Sequence, residues 1–357
     1  MSLGQRSYPI RIGIGGMDEL GEEVVRRTGA SQVALVTVPG VARRHAAPVL
    51  RSLRRAGLKV DKVVVPDGDA SKSLAELAKL YDALLDLGLD RSGVLIALGG
   101  GAVGDLTGFA AATYLRGVRF VQIPTTILAM VDASIGGKTA VNLPQGKNLV
   151  GAFHQPSLVW IDTAFLESLP ARERAAGMAE VAKVGAIWDA RFFARLERDS
   201  ERILGLEPAA LVPVLERACR IKAEIVSRDE REESGLRALL NFGHTVAHAV
   251  EACHGYRKQI LHGEAVAIGM VHAARLSERL DLAPAGTRER LESLLVRLGL
   301  PVAIPAYDRR AHLAAIQVDK KKVGRKIRYV VLRGIGRAET VRLTPAQILP
   351  ARWSPGG

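Results

Sequence analysis

Five of the eight histidines in this 357-residue chain fall within 29 positions of one another. His244 and His248 are four residues apart in a stretch with helical spacing, so they share one helix face, and His262 opens the next helical stretch. His254 and His272 complete the cluster. Two histidines and a carboxylate with an open fourth position are the usual ligands of a catalytic zinc. The spacing leaves open which two histidines bind a metal and which one transfers protons.

A carboxylate for such a site lies on a helical stretch of small apolar residues. Glu180 and Lys183 are three residues apart there and share a face. On spacing alone, the more common interpretation of this pair is a surface ion pair. The histidine cluster, which directly follows Arg237 and Asn241, favours a metal site instead.

Basic side chains suited to an anionic ligand lie in the same half of the chain. Lys222 and Arg237 are isolated, whereas Asp319 to Lys322 forms a lysine-rich run. Such a run is usually a solvated loop, but together with a metal site it could instead hold a phosphate or a carboxylate.

A glycine-rich turn, Gly99 to Asp105, follows the apolar stretch GVLIAL and opens a helical stretch. It matches G-x-G-x-x-G, in which glycines let the backbone approach a pyrophosphate and the helix N-terminus supplies donors. An ordinary Rossmann unit has this turn after its first strand and an acidic residue about 20 positions later. Here two predicted strands come first, and the later position falls in an apolar strand. A tight turn and a nucleotide site in a variant topology both remain open.

Polar groups and glycines are also crowded after the next strand. Pro124-Thr125-Thr126 ends that strand, and the following stretch, Asp132 to Asn148, holds Lys138 and Lys147. We expect this stretch to be a loop that lines a ligand crevice at the carboxyl end of a parallel sheet. A solvated, flexible loop is the alternative.

The elements that position these residues change in kind along the chain. The first half alternates β-rich runs with helical stretches such as Leu74 to Leu87, which predicts a parallel sheet covered on both faces. The predicted strands are Gln32 to Thr37, Lys59 to Val65, Gly93 to Leu98 and Arg119 to Ile123.

After about Pro170, helical patterns follow one another, and one hairpin is predicted from Lys326 to Leu332 and Glu339 to Leu343. We therefore expect an α/β Rossmann-like domain over residues 1–170 and a mainly α-helical domain over residues 171–357. The predicted helices are Arg172 to Ile187, Pro208 to Ser227, Leu236 to His254, Glu264 to Leu280 and Arg288 to Leu298.

Composition excludes several classes of protein. With 48% hydrophobic and 24% charged residues, the chain is typical of globular domains, and no apolar run reaches the ~18 residues of a membrane helix. Cys219 and Cys253 are too few for a disulfide framework, and the start lacks a signal-peptide pattern, so we expect a cytoplasmic protein with no membrane partner. The net charge of +13 is scattered and aromatic residues are only 4%, which favours a small anionic substrate over nucleic acid.

Six segments together closely resemble the 3-dehydroquinate synthase family of sugar-phosphate cyclases, over nearly the whole chain from Ser7 to Leu343. They are GGGAVGDLTGFAAATYLRG, IPTTILAMVDASIGGKTAVN, GKNLVGAFHQP, AGMAEVAK, LRALLNFGHTVAHAVE and HGEAVAIGM. The resemblance implies an NAD-binding α/β domain, a helical domain that holds zinc or cobalt, and a homodimer. It also implies conversion of 3-deoxy-D-arabino-heptulosonate 7-phosphate into 3-dehydroquinate and phosphate. The implied steps are transient oxidation at C5 by NAD, phosphate elimination, re-reduction, ring opening and aldol closure.

The resemblance also implies roles for single residues. The implied metal ligands are Glu180, His244 and His262. Proton transfer is implied for His248, with Glu233 or its neighbour Glu232 as an acidic acceptor. The implied substrate contacts, among which Lys138, Arg237 and Asn241 also count as catalytic, are Arg116 (reaching the neighbouring subunit's site), Asp132, Lys138, Asn148, Lys183, Lys222, Arg237, Asn241 and Lys321. The implied NAD contacts are Asp69, Lys72, Gly100, Gly101, Asp105, Thr125, Thr126, Lys147 and the stretch from Phe165 to Ser168.

Three departures from the family pattern bear on the site. Val38 stands where the family has Asp or Asn for the adenosine of the cofactor, and Asp69 stands where it has the longer Glu. These two differences make the NAD affinity an open question. One extra residue before Arg237 leaves the acidic acceptor undecided between Glu232 and Glu233.

Three other functions remain as alternatives. A metal-dependent polyol or glycerol phosphate dehydrogenase would share the two-domain plan but would release NADH, and it would not need Lys138, Asn148, Lys222 and Arg237 together. Another sugar-phosphate cyclase would take a substrate without a carboxylate. The presence of Lys138, Asn148 and Arg237 disfavours this alternative. A basic nucleic-acid-binding protein would show strongly salt-dependent binding and no phosphate release.

Overall fold

The computed structural model describes residues 1–254, 259–304, 308–317, 322–323 and 326–350. The chain divides into two compact units, Met1–Pro170 and Ala171–Gly357. Among the residues described, no helix is long and apolar enough to cross a membrane.

The first unit is built on a six-stranded sheet whose paired strands all run parallel. The strands of this unit are β1 (Ile10–Gly13), β2 (Gln32–Thr37), β3 (Lys59–Val64), β4 (Val94–Gly99), β5 (Arg119–Pro124), β6 (Lys138–Leu143), β7 (Gly146–Phe153) and β8 (Leu158–Asp162). The sheet has the order β1-β8-β5-β4-β2-β3, and β6 and β7 form a separate antiparallel hairpin. The carboxyl ends of the six parallel strands therefore meet at one edge.

Four helices accompany this sheet. They are α1 (Leu20–Thr28), α2 (Pro39–Arg55), α3 (Leu74–Asp86) and α4 (Gly101–Thr113). Alternate residues of a strand face opposite sides, so Leu35 packs in an apolar cluster with α1 and α2, and its neighbour Val36 packs in another with α3 and α4. The alternating pattern in the sequence is thus confirmed as an α/β fold with helices on both faces of the sheet.

The second unit is mainly helical, as the sequence predicts. Its helices are α5 (Ala171–Trp188), α6 (Ala190–Leu204), α7 (Pro208–Arg228), α8 (His244–Cys253), α9 (His262–Arg279), α10 (Thr287–Arg297), α11 (Arg309–Gln317) and α12 (Pro345–Ile348). The predicted hairpin is present as β10 (Lys326–Gly334) and β11 (Arg337–Leu343), and the short β9 (Lys322–Val323) pairs with β10.

Two predictions of local structure were wrong, and two strands were missed. The stretch Asp132 to Asn148 is not a loop, because it runs from the end of a π-helical turn into the hairpin β6–β7. The single helix predicted over Leu236 to His254 is interrupted, because a 3-10 turn ends at Asn241 and α8 begins only after Gly243, whose φ of 80° is left-handed. Strands β1 and β8 were not predicted, since four and five residues give too little periodicity.

A buried histidine in the second unit makes its stability depend on pH. His272 on α9 is only 4% exposed, and its Nδ1 lies 3.1 Å from the hydroxyl of Tyr329 on β10. Burial lowers the pKa of His272 from 6.5 to about 3, with Arg275 adding to the effect. Between these two pH values the unfolded chain binds the proton more strongly than the folded one, so the free energy of unfolding falls as the pH falls.

Because of His272, we expect the free energy of unfolding to fall by about 2 kcal/mol when the pH is lowered from 7 to 5. Urea unfolding of the wild type and of His272→Gln at both pH values measures this. The variant removes the titrating group, so its loss of stability across the interval should be smaller by that amount. Equal losses in the two proteins would contradict the prediction, whatever the stability of the variant at pH 7.

Candidate active site

Three side chains of the second unit converge on one point. Oε1 of Glu180 lies 3.6 Å from Nε2 of His244 and 3.8 Å from Nε2 of His262. The three potential ligand atoms all lie within 4.8 Å of one another. One residue each from α5, α8 and α9 forms this cluster, the ligand triad.

Close packing of helices brings the triad together. Gly263 follows His262 in α9, and a Cβ at Gly263 would come within 1.8 Å of the carbonyl oxygen of Ala176 on α5. Any larger residue would therefore push the start of α9 away from Glu180. At Gly243, a Cβ would come within 2.7 Å of the backbone nitrogen of Met270, so this glycine lets α8 begin at His244 directly against α9.

Glu180 is buried, so its pairing with Lys183 is not a surface ion pair. Both residues are 1% exposed, and Nζ of Lys183 contacts Oε2 of Glu180. Oε1, the oxygen that faces the two histidines, has no hydrogen-bond partner among the residues that the structure describes. Leaving a buried carboxylate oxygen without a donor is costly, and a cation between it and the two imidazoles would satisfy it.

The outer nitrogens of both triad histidines face acceptors. Nδ1 of His244 lies 3.1 Å from the carbonyl oxygen of Phe242, and Nδ1 of His262 lies 3.5 Å from Oε1 of Glu251. Sequence reasoning missed Glu251, although it lies seven residues after His244, on the same side of α8. Two Nε2 atoms and one carboxylate oxygen make a donor set that fits zinc or cobalt.

His248 lies beside the triad without belonging to it. Its ring meets that of His244 edge-on, with the two centroids 5.7 Å apart. His248 is exposed, whereas Glu180 is buried. Because His262 also keeps 32% of its side chain exposed, the triad is accessible from one side. This arrangement suits two histidines as ligands and His248 as the group that exchanges protons.

Arg237 is held by the segment before it. Asp229 is 5% exposed and accepts the backbone N–H of Arg237 and of Ser234. Burial raises the pKa of Asp229, but the backbone N–H groups of Arg237, Ser234 and Glu233 outweigh it and hold that pKa below its usual value. Of the two acidic candidates, the structure brings the carboxylate of Glu232 near Arg237, with Oε1 3.9 Å from Nε.

The other predicted substrate contacts of this unit have different degrees of burial. Lys222 on α7 is 6% exposed, and Asn241 ends the 3-10 turn that begins at Arg237. Lys321 lies outside the described residues.

The glycine-rich turn of the first unit joins β4 to α4 at the carboxyl edge of the sheet. Its last glycine serves packing, since a Cβ at Gly104 would come within 2.5 Å of Oε1 of Gln122. Gly100 and Gly101 form a cradle beside Thr126 and Ala133. A Cβ at Gly100 would be in ordinary contact with Thr126 at 3.4 Å, whereas one at Gly101 would lie slightly too close to Ala133, at 3.2 Å. Thr125 donates its backbone N–H to Gly99. The N–H groups at the start of α4 make this cradle suitable for a phosphate.

One lysine links predicted cofactor residues to a predicted substrate residue. Nζ of Lys72 donates to Oδ2 of Asp105 and to Oδ1 of Asn148, at 2.6 Å and 2.5 Å. Asn148 has a left-handed backbone with φ of 54°, and Lys138 lies at the opposite end of the hairpin, paired with Phe153. The structure therefore brings Asn148 to Lys72 and Asp105 and not to Lys138.

A second ion pair lies between predicted cofactor contacts. Nζ of Lys147 lies 2.8 Å from Oδ2 of Asp69, so the shorter aspartate still reaches this lysine.

The remaining predicted cofactor residues of this unit lie near α2. Val38 is 3% exposed and packs in the apolar core, so its side chain offers a cofactor no polar contact. Phe165 is also buried, and the ring of His45 lies 4.7 Å from it. Nε2 of His45 lies 2.7 Å from the hydroxyl of Ser168, and burial together with Arg44 lowers the pKa of His45.

Arg116 is exposed on the first unit. It ends the 3-10 turn Tyr114–Arg116 between α4 and β5, and its φ of 70° is left-handed, as is that of Leu115 at 50°. Such a backbone is strained in residues other than glycine and fixes the direction of the chain here. Asp132 lies in the π-helical turn Ala129–Ala133 of the same unit.

Comparison with protein families gives two adjacent matches. The model for the 3-dehydroquinate synthase N-terminal region matches residues 62–176, and the model for the 3-dehydroquinate synthase C-terminal region matches residues 177–322. A 3-dehydroquinate synthase of Bordetella pertussis is 50% identical over 332 residues, which cover 93% of this chain and 92% of that protein. One of Citrifermentans bemidjiense is 47% identical over 345 residues, which cover 96% and 94%.

Solved structures of similar fold include cyclases and, at lower identity, dehydrogenases. The 2-epi-5-epi-valiolone synthase of Streptomyces hygroscopicus, with NAD+ and Zn2+ bound, has a TM-score of 0.88 and 29% identity, covering 98% of this chain and 96% of that one. A 2-deoxy-scyllo-inosose synthase complexed with carbaglucose-6-phosphate, NAD+ and Co2+ has a TM-score of 0.88 and 26% identity, covering 98% and 97%. A glycerol dehydrogenase of Schizosaccharomyces pombe, at a TM-score of 0.66 and 19% identity over 95% and 86%, shares the fold alone.

Proposed function

The chain belongs to the 3-dehydroquinate synthase family, and we propose that it converts 3-deoxy-D-arabino-heptulosonate 7-phosphate into 3-dehydroquinate and phosphate. The observation that carries this proposal is the identity of 46–50% to proteins of that name over more than nine-tenths of the chain. The 2-epi-5-epi-valiolone synthase and the 2-deoxy-scyllo-inosose synthase described above are only 29% and 26% identical to this chain, which favours the heptulosonate as substrate.

The proposed metal ligands are Glu180, His244 and His262, which offer the two nitrogens and one oxygen typical of a catalytic divalent site. When bound, a divalent metal supplies Lewis acidity toward a hydroxyl or carbonyl oxygen, and NAD supplies a reversible acceptor for the hydride. His248, exposed beside the triad, takes the proton from the C5 hydroxyl and returns it. Glu232, near Arg237, is the proposed acidic acceptor.

The anionic substrate needs several fixed cations. In the second unit we assign this role to Lys183, Lys222 and Arg237, with Asn241 as an uncharged partner, because all three cations are at most 6% exposed and so are held in place. Buried cations bind a phosphate or carboxylate more strongly than exposed ones, since less of their charge is screened by water. The surplus of 13 positive charges also attracts such a substrate to the protein.

In the first unit, we assign the dinucleotide phosphates to the cradle at Gly100 and Gly101. The N–H groups of the α4 N-terminus can donate to a phosphate there, and glycine lets the backbone approach it closely. Lys72, which is 7% exposed and bonded to Asp105, provides a fixed positive charge in the same unit. Since Val38 is apolar and buried, the adenosine must be held without the Asp or Asn that the family usually has there.

We also propose a homodimer in which Arg116 contacts the substrate phosphate of the partner subunit. In favour of this proposal, Arg116 is exposed, so its side chain is accessible to a partner subunit. In a twofold dimer each subunit would give one arginine and receive one.

The redox balance tests the function directly. The proposed reaction returns the hydride to its substrate, so we expect phosphate to accumulate over many turnovers for each NAD, with no net NADH. Phosphate release and absorbance at the NADH wavelength, followed together with NAD below the enzyme concentration, measure both quantities. NADH formed in proportion to substrate consumed would favour the dehydrogenase alternative instead.

A further inference from the structure

A second buried carboxylate stands behind the ligand triad. Glu251 on α8 is 5% exposed, and its Oε1 lies 3.5 Å from Nδ1 of His262. Glu251 is seven residues after His244, two helical turns along the same side of α8. One helix therefore provides both a triad histidine and the acceptor that faces the other one.

The position of this acceptor decides which nitrogen of His262 is available to a metal. A carboxylate only accepts hydrogen bonds, so Nδ1 of His262 must carry the proton to interact favourably with Glu251. In a neutral imidazole, Nε2 then carries the lone pair, and Nε2 is the atom 3.8 Å from Oε1 of Glu180. The carbonyl oxygen of Phe242 has the same effect on His244, where Nε2 also faces Glu180.

The two outer acceptors differ in charge. The carbonyl oxygen beside His244 is neutral, whereas Glu251 is a carboxylate in a site with little water. A negative charge at Nδ1 raises the basicity of Nε2 and adds attraction for a dication in the triad. The side chain of His262 is 32% exposed and that of His244 only 12%. The ring of His262 is therefore less fixed by packing and depends more on a contact at its outer nitrogen.

We infer that Glu251 is a positioning residue that holds His262 in the Nδ1–H tautomer with Nε2 toward the triad, and thereby sets the affinity of the site for a divalent metal. This inference rests on the metal centre of the proposed function. It adds a residue to that site which is not a ligand and does not contact substrate.

Metal titration of the metal-free protein tests the inference without using activity. Zn2+ and Co2+ are titrated in competition with a chromophoric chelator, for the wild type, Glu251→Gln and the control Glu224→Gln. The control removes the same charge from a carboxylate of the same unit that pairs with Arg228 on the surface. We expect Glu251→Gln to bind both metals ten- to a hundredfold more weakly, and the control to stay within twofold of the wild type.

Two further readouts separate positioning from a purely structural role. The metal-free Glu251→Gln protein should melt close to the metal-free wild type, with a smaller rise in Tm on adding Zn2+. If Glu251→Gln does not fold, Glu251→Asp replaces it in the titration. In the zinc-loaded wild type, long-range ¹H–¹⁵N spectra should show His262 bound through Nε2 and protonated on Nδ1.

The outcomes against the inference are distinct from those against the proposed function. Equal metal affinity in the wild type and the Glu251 variant, or zinc bound through Nδ1 of His262, would overturn the role of Glu251 and leave the metal centre intact. A wild type that binds no divalent metal would overturn both.

Discussion

His262→Ala is expected to lower phosphate release by about three orders of magnitude or more, which corresponds to about 4 kcal/mol of activation free energy. The physical reason is that His262 provides one of three proposed ligand atoms, and a site with two ligands holds a catalytic metal poorly. His262 is partly exposed and lies at the first position of α9, so the substitution should leave the fold intact.

His254→Ala is the matched control for this prediction. His254 belongs to the same cluster in sequence, but its Nδ1 bonds to the carbonyl oxygen of Val250 and it is not part of the triad. The activity of His254→Ala should stay near that of the wild type.

Chelation should abolish wild-type activity and Zn2+ or Co2+ should restore it, whereas added metal should not rescue His262→Ala. Full activity in metal-free wild type would contradict the metal centre.

Arg116→Ala should slow catalysis by one to two orders of magnitude while leaving unfolding unchanged. Losing a charge-assisted contact to a phosphate costs roughly 1.5–3 kcal/mol, and an exposed arginine contributes little to the fold. Steady-state phosphate release measures the effect. Arg91→Ala, which removes another exposed arginine of the first unit, is the control and should be silent.

Complementation between subunits tests whether Arg116 acts in trans. Arg116→Ala and His262→Ala proteins are mixed under conditions that exchange subunits. A hybrid dimer then contains one site with an intact triad and an arginine from the partner. We expect activity above the sum of the two parents. No gain in exchanged heterodimers would mean that Arg116 acts within its own subunit or has no catalytic role.

The sequence by itself determined the class of fold, and its resemblance to a known family predicted the members of the ligand triad. Strands such as Gln32–Thr37 are short, mostly apolar runs between helical stretches, and their length and β-branched residues are enough to identify them. Glu180, His244 and His262 could be chosen because metals need few residue types and because the long motifs around them match a known family. Short elements such as β1 were missed, since four residues do not establish a period.

Only the tertiary structure decided what surrounds those residues. Spacing predicts that Glu180 and Lys183 share a helix face, but whether that face is covered depends on the helices packed against α5. These helices leave Glu180 and Lys183 each only 1% exposed. Glu251 on α8 faces His262 on the neighbouring helix α9. Lys72 meets Asn148 although 76 residues separate them. Burial and long-range contacts depend on how helices and strands pack together, and no local sequence pattern encodes that packing. The surroundings of the site residues are therefore decided by the tertiary structure.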